Sequence, residues 1–155
     1  LQYVLGNGEY QMGNIRAKAV CLFRQDDRVL LMQSFDPAKN EHYLMPIGGG
    51  IEFGELAIDA IQREVMEEIQ QSICNLQRLH ILENIFTFDA QQGHEIVFIY
   101  SADFVQTDIY QMEQIRGVET SGLIYFATWY SQIQLESLAY PVYPKGIEPF
   151  LFQSI

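Results

Sequence analysis

The sequence predicts an α/β domain in which helices cover a mixed β-sheet, and three observations carry that expectation. Strand-like runs alternate with helix-like ones from about residue 15 onward, no stretch repeats another, and one central segment has a clear 3.6-residue apolar period. At 155 residues and 17.9 kDa the chain has room for one core. With 48% hydrophobic residues, among them 10 Phe, 9 Tyr and 1 Trp, it is too apolar for intrinsic disorder.

The expected organisation is a loosely ordered lead-in over residues 1–14, with Gly6, Gly8 and Gly13 among polar neighbours, followed by a single domain over 15–155. Residues 15–23 (IRAKAVCLF) and 29–34 (VLLMQS) are β-like runs around a polar five-residue loop, which predicts adjacent strands of a hairpin. After the Asp36-Pro37 turn signal, residues 43–45 form a short extended piece ending at Pro46, and Gly48, Gly49, Gly50 and Gly54 make a flexible loop. Residues 56–69 (LAIDAIQREVMEEI) carry apolar side chains at 58, 61, 65 and 69, the stripe of a helix packed on the sheet. Residues 79–88 and 94–105 read as an antiparallel pair around 89–93, and 123–130 as a further strand. The Gln/Glu-rich 106–122 between them reads as a long loop, 131–139 as a short helix, and 145–153, opened by Pro144, as a terminal one.

Charge narrows the function. Nine Lys+Arg against 20 Asp+Glu give a formal net charge of −11, and the cations are scattered along the chain, so long DNA or RNA is not the expected partner. Any anionic ligand is expected to be small or to bring metal ions. No apolar run reaches the roughly 18 residues of a membrane-spanning helix. Cys21 and Cys74 form no CxxC and no disulfide framework, and the chain starts at Leu1 without a secretory-type leader, so a cytoplasmic protein with reduced cysteines is expected.

Glu64, Glu67 and Glu68 stand at i, i+3 and i+4, which puts three carboxylates within one helical turn, on the face opposite the 58/61/65/69 stripe. Like charges at this spacing destabilise a helix unless neutralised, and an oxygen-binding divalent cation, Mg²⁺ or Mn²⁺, would neutralise them. A solvated acidic face is the plainer account of the triplet alone.

The surroundings change the balance. From Gly49 the chain reads G-x5-E-x7-R-E-V-x-E-E, through Glu55, Arg63, Glu64, Val65, Glu67 and Glu68. This resembles the Nudix box, G-x5-E-x7-R-E-U-x-E-E-x-G-U with U aliphatic, at seven of nine fixed positions. Pro46 and the stretch GGGIEFGE also look like the loop that leads into that box. The resemblance implies an α/β/α sandwich with a mixed sheet between helices, and a hydrolase that cleaves a pyrophosphate in a small nucleoside diphosphate derivative such as ADP-ribose, a nucleotide sugar, a dinucleotide or an NTP. It further implies Glu64, Glu67 and Glu68 as metal ligands, the Gly49 carbonyl as a further one, and a Glu55–Arg63 ion pair pinning the glycine loop to the helix. Glu64 and Glu119 become candidates for general base, with Glu95 a third, although an outward-facing strand residue is the commoner role for Glu95. A Nudix-like nucleotide-binding or sensory module without turnover is the alternative, and the intact carboxylate trio favours the enzyme. A homodimer is compatible with the sequence.

Two departures stand out. Gln70 and Gln71 replace the final Gly and aliphatic residue of the box, and a Gly there normally supplies a left-handed helix end, so Gln70 is expected in that conformation. Leu56 stands where relatives often carry a Ser or Thr cap, and Met45 where many carry Arg. On the substrate side Tyr43, Phe86 and Arg16 are the candidates. Phe53, Phe88 and Tyr100 are further aromatics of strand patterns, which more often belong to a core. His42, His80 and His94 show no paired metal spacing.

Overall fold

The computed structural model describes residues 2–4 and 10–153. The lead-in contributes a two-stranded antiparallel ribbon, β1 (Gln2–Val4) with β2 (Tyr10–Met12); its residues 1 and 5–9 lie outside the described residues. Two sheets follow. One runs β7 (Ile47–Gly50), β3 (Ile15–Leu22), β9 (Gln91–Phe104), β8 (Ile73–Phe88), with β3 and β9 parallel and the other pairs antiparallel. The second, antiparallel throughout, runs β10 (Gln114–Val118), β11 (Ile124–Ser131), β5 (Arg28–Asp36), β4 (Arg24–Gln25), with β6 (Glu41–Met45) also on β5. Helices α1 (Ala57–Ile69) and α2 (Gln132–Leu138) complete the mixed α/β architecture. Among the described residues no helix is long and apolar enough to cross a membrane.

The mixed sheet is buried on both faces. Ala19 and Cys21 of β3 enter one apolar cluster with Ile61, Val65 and Ile69 of α1, while Val20 and Leu22 enter another with Val97, Ile99 and Leu151. Such two-sided burial is why β3 reads as a continuous apolar run rather than an alternating one.

It also corrects the expected hairpin. β3 and β5 do not pair; the chain crosses from one sheet to the other at Phe23, and only Arg24–Gln25 folds back on Arg28–Val29. Val29 and Leu31 face one cluster and Leu30 and Met32 the other, so each strand needs cover on both sides, which two layers provide. Residues 106–122 are not one loop. They hold a 3-10 turn at Thr107–Gln111 and the edge strand β10, a five-residue QIRGV whose Ile115 and Gly117 alone point inward, too little apolar signal to register as a strand. Residues 145–153 are not a helix either. Gly146 sits at φ +97° and Pro149 follows, leaving only a 3-10 turn at Glu148–Phe150. β8 begins earlier than expected, since register shifts near Cys74/Gln77 and Arg78/His80 interrupt its alternation. The expected short helix is present as α2, where Ser131 accepts from Gln134 N–H and the Gln134 side chain accepts from Ser131 N–H in a capping box.

Helix α1 spans the expected segment and ends as expected: Gln70 is left-handed (φ 57°, ψ 39°), its N–H bonded to Met66 O at 3.0 Å. A side chain in that conformation is strained where Gly is not, so Gln70→Gly is expected to stabilise the fold by about 0.5–1 kcal/mol, read by denaturant unfolding. A loss of that size would show that the Gln70 side chain holds the helix end in place.

Candidate active site

The buried face of α1 is broader than its apolar stripe. Ala60, Ile61, Glu64, Val65, Glu68 and Ile69 are buried, and Ile58, counted in the stripe, is largely exposed. At 100° per residue Glu68 falls only about 20° from Ile61 on the helical wheel, so a helix covered from two sides takes it inward. α1 packs against β7 and β3 on one side and β10 on the other. The three carboxylates therefore do not share a solvent face opposite the stripe: Glu64 and Glu68 are 5% and 8% exposed, and only the side chain of Glu67, at 51%, is open to water.

Arg63 organises this cluster. Its Nε and Nη2 donate to the two oxygens of Glu55 at 2.7 and 2.9 Å, Nη1 donates to Glu64 at 2.8 Å and Glu67 at 3.2 Å, and Nη2 also reaches Gly50 O at 2.9 Å. Five bonds use the full donor capacity of a guanidinium, which a lysine could not reproduce. The expected glycine loop is in part a strand, since Gly48, Gly49 and Gly50 pair with β3 as β7, and Arg63 ties the end of β7 at Gly50 and the following turn at Glu55 to α1. Hydrogen bonds from Arg63 and from Glu52 N–H hold the Glu55 carboxyl down to about 2.

A group whose folded pKa lies below its unfolded value contributes stability above the unfolded pKa and loses it as pH falls through the folded one. Glu55→Gln is accordingly expected to flatten the acid limb of the stability curve between about pH 4.5 and pH 2, measured by melting temperature. An unchanged acid limb would show that the pair adds nothing to the folded state.

Tyr125, on β11, is the part that the sequence does not announce. Its hydroxyl donates to Glu68 Oε2 at 2.6 Å in a buried setting. Burial pushes the Glu68 carboxyl up to about 7, the Tyr125 hydrogen bond opposing, and the nearby Glu64 and Glu119 adding to the rise. Opposite the ring is Gly117, where a Cβ would lie 2.2 Å from the Tyr125 ring. An aromatic residue in a strand carries no signal of such a contact, and Gly in an expected loop carries none of close packing. Gly49 makes a similar approach: a Cβ there would lie 2.3 Å from Glu64 Cδ, so the Gly49 backbone rests directly on that carboxylate.

Glu119 follows β10, half-buried and close enough to Glu68 to raise its pKa; its carboxylate accepts only a long bond from Ser121 Oγ at 3.5 Å. Glu95 is not the outward-facing residue expected. It is 5% exposed and paired with Arg16 at 2.5 Å, because its strand β9 is flanked on both sides and that position faces a cavity. This cavity, of about 360 Å³, brings together Arg16, Tyr43 and Phe86, three residues far apart in sequence, with Phe88 and Tyr143. Tyr100 belongs to the core and Phe53 is fully exposed, so neither joins them. At the cavity's edge Lys18 lies in register with Gly50, which links it to the carboxylate cluster.

The donor set fits a hard divalent cation. One guanidinium, already saturated, serves three carboxylates, Glu55, Glu64 and Glu67, with the buried Glu68 beside them on α1, and all the donors are oxygens. Among the described residues the carboxylates are not gathered round one point, because Glu64 and Glu67 turn to Arg63 and Glu68 to Tyr125.

The fold and the sequence box carried on β7 and α1 agree with the comparisons. The NUDIX domain matches residues 13–144. The chain belongs to the Nudix family and is a Nudix pyrophosphohydrolase. Its fold is similar to that of a NUDIX hydrolase from Nitrosomonas europaea (24% identity, TM-score 0.64, covering 88% of this chain and 86% of that one). A NUDIX-family hydrolase from Clostridium perfringens is similar at 18% identity and TM-score 0.60 (90% and 95% covered). So is a protein described as an ADP compounds hydrolase, at 16% and 0.54 (89% and 71%). No curated protein gives a significant match.

Proposed function

We propose that this protein hydrolyses the pyrophosphate of a small nucleoside diphosphate derivative with Mg²⁺ or Mn²⁺ held by Glu64, Glu67, Glu68 and the Gly49 carbonyl, in the cytoplasm. The observation that carries the reading is the carboxylate cluster of α1, two members of which are buried, Glu64 sharing Arg63 with two other carboxylates and Glu68 bonded to a tyrosine hydroxyl. When bound, the divalent ion supplies charge neutralisation at the phosphates and a lower pKa for the attacking water. The protein's own part is positioning: Arg63 fixes the end of β7, Glu64 and Glu67, while Tyr125 fixes one oxygen of Glu68 and leaves the other free. Glu119 is the better candidate base, since Glu64 is already bonded to Arg63 and Glu119 keeps its acceptor capacity. Arg16, Tyr43 and Phe86 receive the nucleoside portion in the adjoining cavity.

Tyr125→Phe removes a donor without removing volume. It is expected to weaken Mg²⁺ binding by about tenfold, read as a smaller Mg²⁺-induced rise in melting temperature, with little change in the metal-free protein. An unaltered Mg²⁺ response would remove Tyr125 from this role.

The reading itself is tested with a panel of ADP-ribose, nucleotide sugars, dinucleotides and NTPs, assayed with and without Mg²⁺ in ¹⁸O-labelled water. Label is expected in a phosphate-bearing product and none in a sugar or alcohol carbon, because a divalent ion held by the carboxylates would activate water for attack at phosphorus. No Mg²⁺-dependent turnover of any compound would favour a binding module instead.

A further inference from the structure

The cations that look scattered along the sequence are gathered in space. Arg16, Lys18, Lys39 and Lys145, four of the nine Lys and Arg in the chain, line the one cavity, against two carboxylates, Asp36 and Glu95. Both carboxylates are already committed. Asp36 accepts from the N–H groups of Ala38, Lys39 and Asp89 and has Lys39 Nζ at 3.4 Å. Lys39 also donates to Thr87 O and stands 6.0 Å over the Tyr143 ring, so it fastens the wall. Glu95 is buried under Arg16.

Lys18 and Lys145 remain, and neither forms an ion pair with a described residue. The wall thus carries four cations against two carboxylates in a chain whose net charge is −11, which makes this concavity a favourable place for an anion.

The two free cations differ in position. Lys18 is in register with Gly50, beside the carboxylate cluster proposed to act on the pyrophosphate. Lys145 follows Tyr143 and Pro144 at another part of the wall, so a pyrophosphate alone leaves it unused. The same wall carries aromatic rings. Tyr43 meets Phe88 and Tyr143 edge-on at centroid distances of 6.3 and 5.4 Å, and Phe86 lies over Gly93, whose added Cβ would fall 2.3 Å from the ring. Flat surface next to unpaired positive charge suits an aromatic ring that carries an anion of its own.

We propose that the cavity selects nucleoside diphosphate derivatives bearing an additional phosphate ester on the nucleoside side, with Lys145 as the residue that receives it. This rests on the reading of the cavity as the nucleoside site. The test compares matched pairs that differ by that one phosphate: NADPH against NADH, and ADP-ribose 2′-phosphate against ADP-ribose. The phosphorylated member of at least one pair is expected to have a kcat/KM higher by about tenfold, the size of one charge-assisted hydrogen bond, and Lys145→Glu is expected to bring that ratio toward one. Lys145 is exposed, so the variant should fold. Ratios near one in the wild type, or a ratio that Lys145→Glu leaves unchanged, would overturn the proposal.

Calorimetry separates this from failure of the enzymatic reading. Nucleoside 3′,5′-bisphosphates and 2′,5′-bisphosphates are titrated against the matching 5′-monophosphates without metal. Tighter bisphosphate binding that Lys145→Glu abolishes supports the site even if no compound is turned over, and equal affinities overturn it even if all are.

Discussion

Glu67→Gln and Glu68→Gln are each expected to lose turnover by about a hundredfold or more while the metal-free protein melts at the same temperature or about a degree higher. The loss follows from the proposed metal role, since replacing a carboxylate ligand by a neutral amide removes charge at the point where phosphate charge has to be offset; groups that merely orient such ligands already cost 10–100-fold. The stability half follows from geometry. Three carboxylates, Glu55, Glu64 and Glu67, share one guanidinium, and burial pushes Glu68 up to about 7 with Glu64 adding to the rise, so a neutral side chain of the same shape relieves repulsion at neutral pH. In Glu68→Gln the amide oxygen would still accept the Tyr125 hydrogen bond. The measurement is steady-state turnover with saturating Mg²⁺ beside a melting curve in EDTA. Turnover within a few fold of wild type in both variants would remove the metal assignment, and a collapse of melting temperature would make the cluster a structural feature instead.

How much of this was legible in the sequence depends on the range of each signal. The α1 segment, its left-handed end at Gln70 and the Glu55–Arg63 contact are local, eight residues or fewer from their determinants, and the pattern of the box carries them. Strand pairing is not local. Two apolar runs joined by a short polar loop look like a hairpin whether they pair or part into two sheets, and only the burial of both faces of β3 and β5 decides it. Inwardness of Glu68 was hidden for a related reason: a single apolar stripe describes a helix covered from one side, and α1 is covered from two. Tyr125, 57 residues from Glu68, and the four cavity cations, spread from Arg16 to Lys145, are brought together by chain crossings that composition and spacing do not encode.

Gly49→Ala is expected to lower turnover by ten- to a hundredfold, and Gly50→Ala to leave it within about twofold. The two glycines are neighbours on β7 with ordinary backbone dihedrals, so a methyl group strains neither through φ. Their surroundings differ. At Gly49 the new Cβ would meet Glu64 Cδ at 2.3 Å and both carboxylate oxygens within 2.5 Å, whereas at Gly50 nothing stands within 4 Å. Something at position 49 has to move, and the end of the Glu64 side chain is the softer partner, since the backbone is held by its pairing with Ala19. Glu64 is 5% exposed, which leaves its carboxylate little room except along the bond to Arg63. A displacement of about 1 Å at a reacting group is enough for a loss of this size. Because Arg63 also holds Glu67 and Gly50 O, the displaced Glu64 would disturb its bonds as well, and the Mg²⁺-induced melting shift should shrink together with turnover. Equal activities for the two alanine variants would mean that Glu64 yields without consequence and that its carboxylate is not part of the reacting centre.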